Sequence, residues 1–216
     1  MSLEILYEDN HLIVCIKPIG VLSQADNSND MDMLTLLKHY IKDKYQKPGN
    51  VYLGLVHRLD RMTGGVMVFA KTSKAASRLN EQIRLRTFKK RYYCIVHGVL
   101  NGCGTLENYL YKDEQEVKSY VVNSKVGKHA ILNYNAIKTI DNKTLVEVEL
   151  LTGRHHQIRV QMAHINHALV GDKLYGGSDK YDMMLYAYSL SFEHPITKER
   201  LTFTKIPHFN LWNDYL

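Results

Sequence analysis

Cysteine is scarce: the 216-residue chain holds three, Cys15, Cys94 and Cys103, scattered and without a C-x-x-C pair. That excludes a disulfide framework and a zinc knuckle and fits a reducing cytoplasm. No apolar run approaches the roughly 20 residues that span a bilayer, so no membrane partner is expected. The start, Met1-Ser2-Leu3-Glu4, lacks the basic stretch and apolar run of a secretory signal. Also missing are G-x-G-x-x-G, the Walker-type phosphate loop and G-x-S-x-G. Their absence disfavours dinucleotide, nucleoside-triphosphate and serine-hydrolase chemistry. Acidic residues are in the minority, 22 Asp and Glu against 28 Lys and Arg, for a net charge of +6. A basic balance favours an anionic partner such as nucleic acid. With 45% hydrophobic and 23% charged residues the chain is globular, of a length for one large domain or two small ones.

Apolar runs at Ile5–Tyr7 and Leu12–Ile16, around Asp9-Asn10-His11, predict a β-hairpin that Lys17-Pro18-Ile19-Gly20 breaks. The polar stretch Gln24–Asp32 reads as an exposed loop. Leu34, Leu37 and Ile41 then recur at helical spacing, with Asp30 or Asp32 as cap. Strands follow at Val51–Val56 and Val66–Ala70, and Ser73 caps a helix whose inner face is Ala76, Leu79 and Ile83. Further strands are expected at Tyr92–Val99, Val117–Val122, Ala130–Ala136, Val146–Leu150, Leu185–Phe192 and Leu201–Phe203, with a short helix at Gln157–His164. Gly102–Glu116 is the weakest stretch for a core and reads as a projecting hairpin. Strands outnumber helices and do not alternate regularly with them, so the fold class is α+β.

Charge is concentrated. Between residues 71 and 93, Lys71, Lys74, Arg78, Arg84, Arg86, Lys89, Lys90 and Arg91 face only Glu81, a local net charge of +7. Basic groups running into Tyr92-Tyr93 suit a nucleic-acid surface, phosphates supplying affinity and rings stacking on unpaired bases. A solvated helix face is the plainer alternative.

Three constellations carry chemistry. In His57-Arg58-Leu59-Asp60-Arg61-Met62-Thr63-Gly64-Gly65 a carboxylate between two arginines is a candidate nucleophile, general base or metal ligand, and the glycines permit close backbone approach. In Lys89-Lys90-Arg91-Tyr92-Tyr93, strand alternation sends the two tyrosines to opposite faces, so only one lines a given pocket. In Thr152-Gly153-Arg154-His155-His156-Gln157-Ile158-Arg159 the charged density is unlike a core, and Arg159 suits bidentate pairing with a carboxylate. A metal site on His156, His164 and His167 is the competing reading. It lacks H-E-x-x-H, and no metal is expected.

These stretches resemble the RluA family of RNA pseudouridine synthases. The family pattern H-R-L-D followed by T-S-G is matched by His57–Asp60 and Thr63-Gly64-Gly65, its K-x-Y by Lys90-Arg91-Tyr92, and its T-G-R-x-H-Q-I-R by Thr152–Arg159. Weaker echoes are Lys17–Gly20, Gly171-Asp172 with Tyr175-Gly176, and Leu185-Tyr186-Ala187 before Phe192-Glu193-His194-Pro195. Departures are Gly64 for Ser, His155 for Thr, Gln161 for His and Tyr186 for His. The resemblance implies a pseudouridine synthase fold: a mixed, largely antiparallel central sheet flanked by helices and loops, with a central catalytic cleft. It implies one catalytic domain over 1–216, or two sub-domains around one cleft, without the S4 domain that many members carry.

By resemblance, Asp60, Tyr92 and Arg159 are catalytic. Asp60 is the nucleophile, Arg159 its ionic partner, and Tyr92 the ring that stacks on the base and assists proton removal. Arg58 fills the space of the flipped base. His57, Thr63, Arg154, Gln157, Leu185, Lys74, Arg78 and Lys90 are expected to bind substrate. The implied activity is isomerisation of uridine in ribosomal or transfer RNA by a cytoplasmic monomer with no cofactor and no bound nucleotide. The alternative from another class is a catalytically idle RNA-binding or ribosome-assembly protein on the same fold.

Overall fold

The computed structural model describes residues 3–26, 28, 30–177 and 180–216, and among them turn-forming segments separate eleven strands and four helices. In chain order these begin with β1 (Ile5–Glu8), β2 (Leu12–Lys17), α1 (Met33–Lys44), β3 (Gly54–Leu55), β4 (Gly64–Ala70), α2 (Ser73–Arg84) and β5 (Lys89–His97). They continue with β6 (Cys103–Asp113), β7 (Lys118–Val122), β8 (Lys128–Ile140), β9 (Lys143–Leu150), α3 (Gln157–His164), β10 (Leu185–Glu193), β11 (Arg200–Thr204) and α4 (Trp212–Tyr215). The chain forms two compact units, residues 1–88 with 189–205, and 89–188 with 206–216. The fold is α+β, and the strand pairs β2–β4, β10–β11, β5–β9, β6–β8 and β8–β9 all run antiparallel.

In the first unit, Asp9 closes the β1–β2 hairpin by accepting the backbone N–H groups of His11 and Leu12 at 2.7 Å each. Strand β2 pairs with β4 from Leu12↔Ala70 to Lys17↔Gly65. That register sets the Lys17–Gly20 stretch beside the segment entering β4. The expected strand Val51–Val56 shrinks to the two residues of β3, which pair with the far end of β4. Helix α1 starts as predicted, Asp32 accepting the Thr35 N–H at 3.0 Å. Of the exposed loop before it, Asn27 and Asn29 lie outside the described residues. Helix α2 is capped one residue earlier than predicted, by Thr72, whose hydroxyl oxygen accepts the Ala75 N–H at 3.1 Å. Its Ala75 and Leu79 are buried with Leu12, Val14, Val66, Val68, Phe88, Leu190 and Phe192, and Ala76 and Ile83 pack on that cluster. Each such large side chain contributes about 1.5–3 kcal/mol on burial. Gln82, buried, ties the helix to β10 by two hydrogen bonds of 2.8 Å with the Glu193 backbone.

In the second unit the strands order as β5-β9-β8-β6-β7. Gly102–Glu116 contributes little to a core, as expected, and forms one arm of a hairpin with β7. Most of it is β6, paired with β8 from Cys103↔Asn135 to Leu110↔Lys128, and with β7. Along β6 exposed residues alternate with half-buried ones, and Leu110 is its one buried residue. Leu110 joins Ala130 and Val160 of α3 in a small core. The unit's main core holds Ile95, Leu145, Val170, Met184, Tyr186 and Trp212. Tyr186, at a position where the resembled family has His, is buried there, with its ring 6.2 Å from that of Phe209 in a T-shaped contact.

Candidate active site

Asp60 lies in the loop between β3 and β4, and that loop is fastened at nearly every residue. His57 Nε2 accepts the Val68 N–H of β4 at 3.2 Å, with its ring 5.7 Å from Phe88. Both backbone groups of buried Leu59 meet one hydroxyl: Ser23 Oγ donates to its carbonyl (2.8 Å) and accepts its N–H (3.0 Å). The Arg61 carbonyl accepts the Gly20 N–H at 2.9 Å and the Lys17 Nζ at 3.0 Å. The Arg61 guanidinium returns to the Gly20 carbonyl (3.1 Å) and pairs with Asp30 (2.8 Å). Thr63 N–H closes the turn on the Asp60 carbonyl at 3.0 Å. Gly65, at φ +128°, occupies a conformation that side chains disfavour. Asp60, half-buried, is therefore carried between fixed neighbours, with Arg58 exposed beside it.

Behind this turn stands a buried cation. Lys17 is fully buried and donates to the carbonyls of Pro18 (2.9 Å), Val21 and Arg61. Burial pulls its amine down to about 8, an effect that the nearby Asp60 carboxylate opposes and Arg61 reinforces. Thr63 is buried, and its hydroxyl has no hydrogen-bond partner among the described residues.

In the second unit Lys90 and Tyr92 share the buried face of β5, and Lys89, Arg91 and Tyr93 the other. Arg91 faces Glu147 at 3.9 Å, and Tyr93 stacks on Tyr188 at 3.9 Å. Of the two adjacent tyrosines, then, Tyr92 lies on the side of Lys90. The Lys90 amine is 3.3 Å from where a side chain on Gly153 would begin, so the K-x-Y strand and the Thr152–Arg154 loop meet. Burial lowers that amine to about 8.

Gln157 shapes the loop. Its Oε1 accepts from Thr152 Oγ1 (2.8 Å) and the Arg154 N–H (3.0 Å), and its Nε2 donates to the Ile131 carbonyl (3.1 Å). Arg154 Nε donates to the His129 carbonyl at 2.8 Å. His155 and His156 precede the helix rather than lying on it. His156 has φ +52°, and the two rings stack at 3.8 Å. Arg159, on α3, forms a bidentate pair with Asp172, Nε to Oδ2 at 2.7 Å and Nη2 to Oδ1 at 2.8 Å. Leu185, at the start of β10, is buried.

Gln157 and His57, expected to bind substrate, anchor the backbone through hydrogen bonds to the segments they shape. Lys90 is not part of an exposed basic surface, at 7% exposure. Three of the eight bases between 71 and 93 are matched by acids distant in sequence, Lys71 by Glu8 (2.8 Å), Lys89 by Glu149 (3.0 Å) and Arg91 by Glu147, and Arg84 pairs with Glu81. Arg78 donates to the Pro195 carbonyl at 2.6 Å. Lys74, exposed on α2, keeps the character expected of it. No group of three or more His, Cys, Asp or Glu among the described residues is placed to hold a metal ion.

Three supporting residues escaped the sequence reading. Lys17 and Asp172 were visible only as echoes of family stretches, and Ser23 carried no signal.

A family model described as RNA pseudouridylate synthase matches residues 11–164. Ribosomal large subunit pseudouridine synthase D of Pseudomonas aeruginosa is 35% identical, over 98% of this chain and 71% of that protein. Ribosomal large subunit pseudouridine synthase C of Buchnera aphidicola is 34% identical, over 93% of this chain and 65% of that protein. Among solved structures, human RNA pseudouridylate synthase domain containing 4 superposes with a TM-score of 0.80 over 98% of this chain and 92% of that one, at 23% identity.

Proposed function

The chain belongs to the RNA pseudouridylate synthase family, of the RluA type, and from that premise we propose that it isomerises specific uridines of ribosomal RNA to pseudouridine, with Asp60 as nucleophile. In that reaction the N1–C1′ bond of uridine breaks, the base rotates, a C5–C1′ bond forms, and the C5 proton leaves. Nothing is oxidised or reduced, so the chemistry asks for a nucleophile, a proton acceptor and a way to hold an extruded base.

The observation that carries the reading is the way Lys17, Ser23 and Gly20 fasten the residues on either side of Asp60. A nucleophile gains from such preorganisation because its approach to the reacting carbon is set before substrate arrives. Attack is on the sugar or on the base. Arg159 has a catalytic role, as the resemblance implies, Tyr92 stacks on the base and assists loss of the C5 proton, and Arg58, exposed, fills the gap in the RNA stack. Lys90, Arg154, Thr63 and Leu185 bind the nucleotide, and Lys74 and Arg78 the RNA backbone. The protein acts as a cytoplasmic monomer with one catalytic domain, RNA as partner and no cofactor. The free thiols of Cys15, Cys94 and Cys103 are in keeping with that compartment.

Mapping pseudouridines in ribosomal RNA from cells with and without this chain tests the reading. Loss of one or a few sites supports it and identifies the target, whereas an unchanged map in ribosomal RNA with sites lost from transfer RNA moves the substrate class. An unchanged map in both overturns it.

A further inference from the structure

The residue that holds Arg159 is unusually well built for the purpose. Asp172 lies thirteen positions beyond Arg159 in the chain, with its side chain 1% exposed and that of Arg159 11%. The two make a side-on fork, Nε and Nη2 against both carboxylate oxygens. Its backbone is locked as well: Asp172 N–H donates to the Leu169 carbonyl (3.1 Å), and the Asp172 carbonyl accepts from Tyr175 (3.1 Å) and Gly177 (2.8 Å). Glycines flank the turn for a steric reason. A side chain on Gly171, at φ +77°, would begin 2.3 Å from the Asp182 carbonyl oxygen, and one on Gly177 would begin 1.8 Å from that of Leu169. The guanidinium also rests 5.2 Å from the centre of the Tyr175 ring. That ring is fixed in turn, its hydroxyl oxygen accepting the Ser119 N–H at 2.7 Å and meeting His156 Nδ1 at 3.1 Å.

A guanidinium has five N–H donors in one plane. Asp172 takes Nε–H and one Nη2–H, which leaves three donors that it does not use. Two of those, one on each terminal nitrogen, form the end-on edge that also suits a carboxylate. Fixing the side edge therefore fixes the direction in which the end edge points.

We propose that Asp172 is a positioning residue for the isomerisation: it clamps Arg159 from the side and so fixes the direction of the end-on edge of the guanidinium, with Tyr175 as the surface beneath. The inference rests on the reading of the function above, in which Arg159 is a catalytic residue. The loop from Leu169 to Gly177 is thereby part of the catalytic apparatus although it need not touch RNA.

The test uses the full chain, single-turnover pseudouridine formation in ribosomal RNA, RNA affinity and urea unfolding. Asp172→Asn keeps the shape but opposes an N–H to an N–H on one arm of the fork. It is expected to lower the rate about 10- to 100-fold and to leave RNA affinity within about twofold and the chain folded. In an Arg159→Lys background, where the fork is already gone, the same change costs less than about threefold, because two residues acting through one contact are not additive. Equal losses in both backgrounds, or a loss confined to RNA affinity, overturn the proposal. If Asp172→Asn does not fold, Asp172→Glu keeps the charge and displaces the fork by one methylene. A folded Asp172→Glu with full rate overturns the proposal, and a tenfold loss supports it. Wild-type turnover tests the isomerase reading separately. The NMR signal of the Arg159 Nε–H reads the clamp without any turnover: slow exchange in the wild type that becomes fast in Asp172→Asn is expected, and fast exchange in both overturns it.

Discussion

Replacing Lys17 with Met tests how the Asp60 turn is held. The ammonium donates to the carbonyls of Pro18, Val21 and Arg61. Hydrogen bonds from a charged group contribute about 1.5–3 kcal/mol each, so losing all of them removes roughly 4.5–9 kcal/mol. Two effects reduce that figure. Burial lowers the amine from 10.5 to about 8. At about 1.4 kcal/mol per pH unit the buried charge costs roughly 3 kcal/mol, which Met does not incur. The Arg61 carbonyl also keeps the Gly20 N–H, so it is not orphaned. The net expectation for Lys17→Met is a loss of about 2–5 kcal/mol, read by urea unfolding at neutral pH with an unchanged denaturant slope. Because Arg61 adjoins Asp60, turnover falls by more than RNA affinity does. A Lys17→Met protein as stable and as active as the wild type would refute the view that this buried cation organises the loop.

Other predictions concern groups whose setting differs from what their type suggests. Lys90 is buried, with no hydrogen bond or counterion among the described residues, and its amine is lowered from 10.5 to about 8. Between those values the unfolded chain binds the extra proton, so stability rises with pH, and the cost of the buried charge is present in full below pH 8. Lys90→Met is therefore more stable by about 1–3 kcal/mol at pH 7, and urea titrations show the gain fading toward zero near pH 10.5; a gain independent of pH contradicts the assignment. Thr63→Val holds or gains up to about 1 kcal/mol in unfolding, since its buried hydroxyl has no described partner, while the rate on RNA falls; a loss of about 2 kcal/mol would mean that the hydroxyl is bonded. Gln157→Leu orphans the Arg154 N–H and frees Thr152, at a cost of about 2–4 kcal/mol in thermal or urea unfolding. No measurable cost would show that the loop is held otherwise.

What could be read from the sequence followed the range of the interaction behind it. Helix α3 begins and ends where the pattern placed it, and Asp32 caps α1, because both depend on neighbours a few residues away. The cap of α2 fell on Thr72 rather than Ser73, adjacent hydroxyls that pattern alone does not separate. Strand β6 was hidden because a single residue of it, Leu110, is buried, which leaves no apolar run to notice. The local charge of the 71–93 segment pointed to a nucleic-acid partner, but the pairing of part of it with Glu8, Glu147 and Glu149 comes through tertiary structure and was not legible. In the candidate site the motifs pointed to the side chains proposed to carry chemistry, but not to the residues that hold their loops. Ser23 binds Leu59 from thirty-six positions away, and nothing in the residues around Ser23 announces it.

The most direct measurement is release of tritium from RNA labelled at C5 of uridine, since forming the C5–C1′ bond expels that hydrogen. The wild-type chain is expected to release label stoichiometrically with pseudouridine formed. Asp60→Asn, folded and binding RNA as tightly, is expected to release none. Release by Asp60→Asn at the wild-type rate would contradict the assignment of Asp60 as the nucleophile.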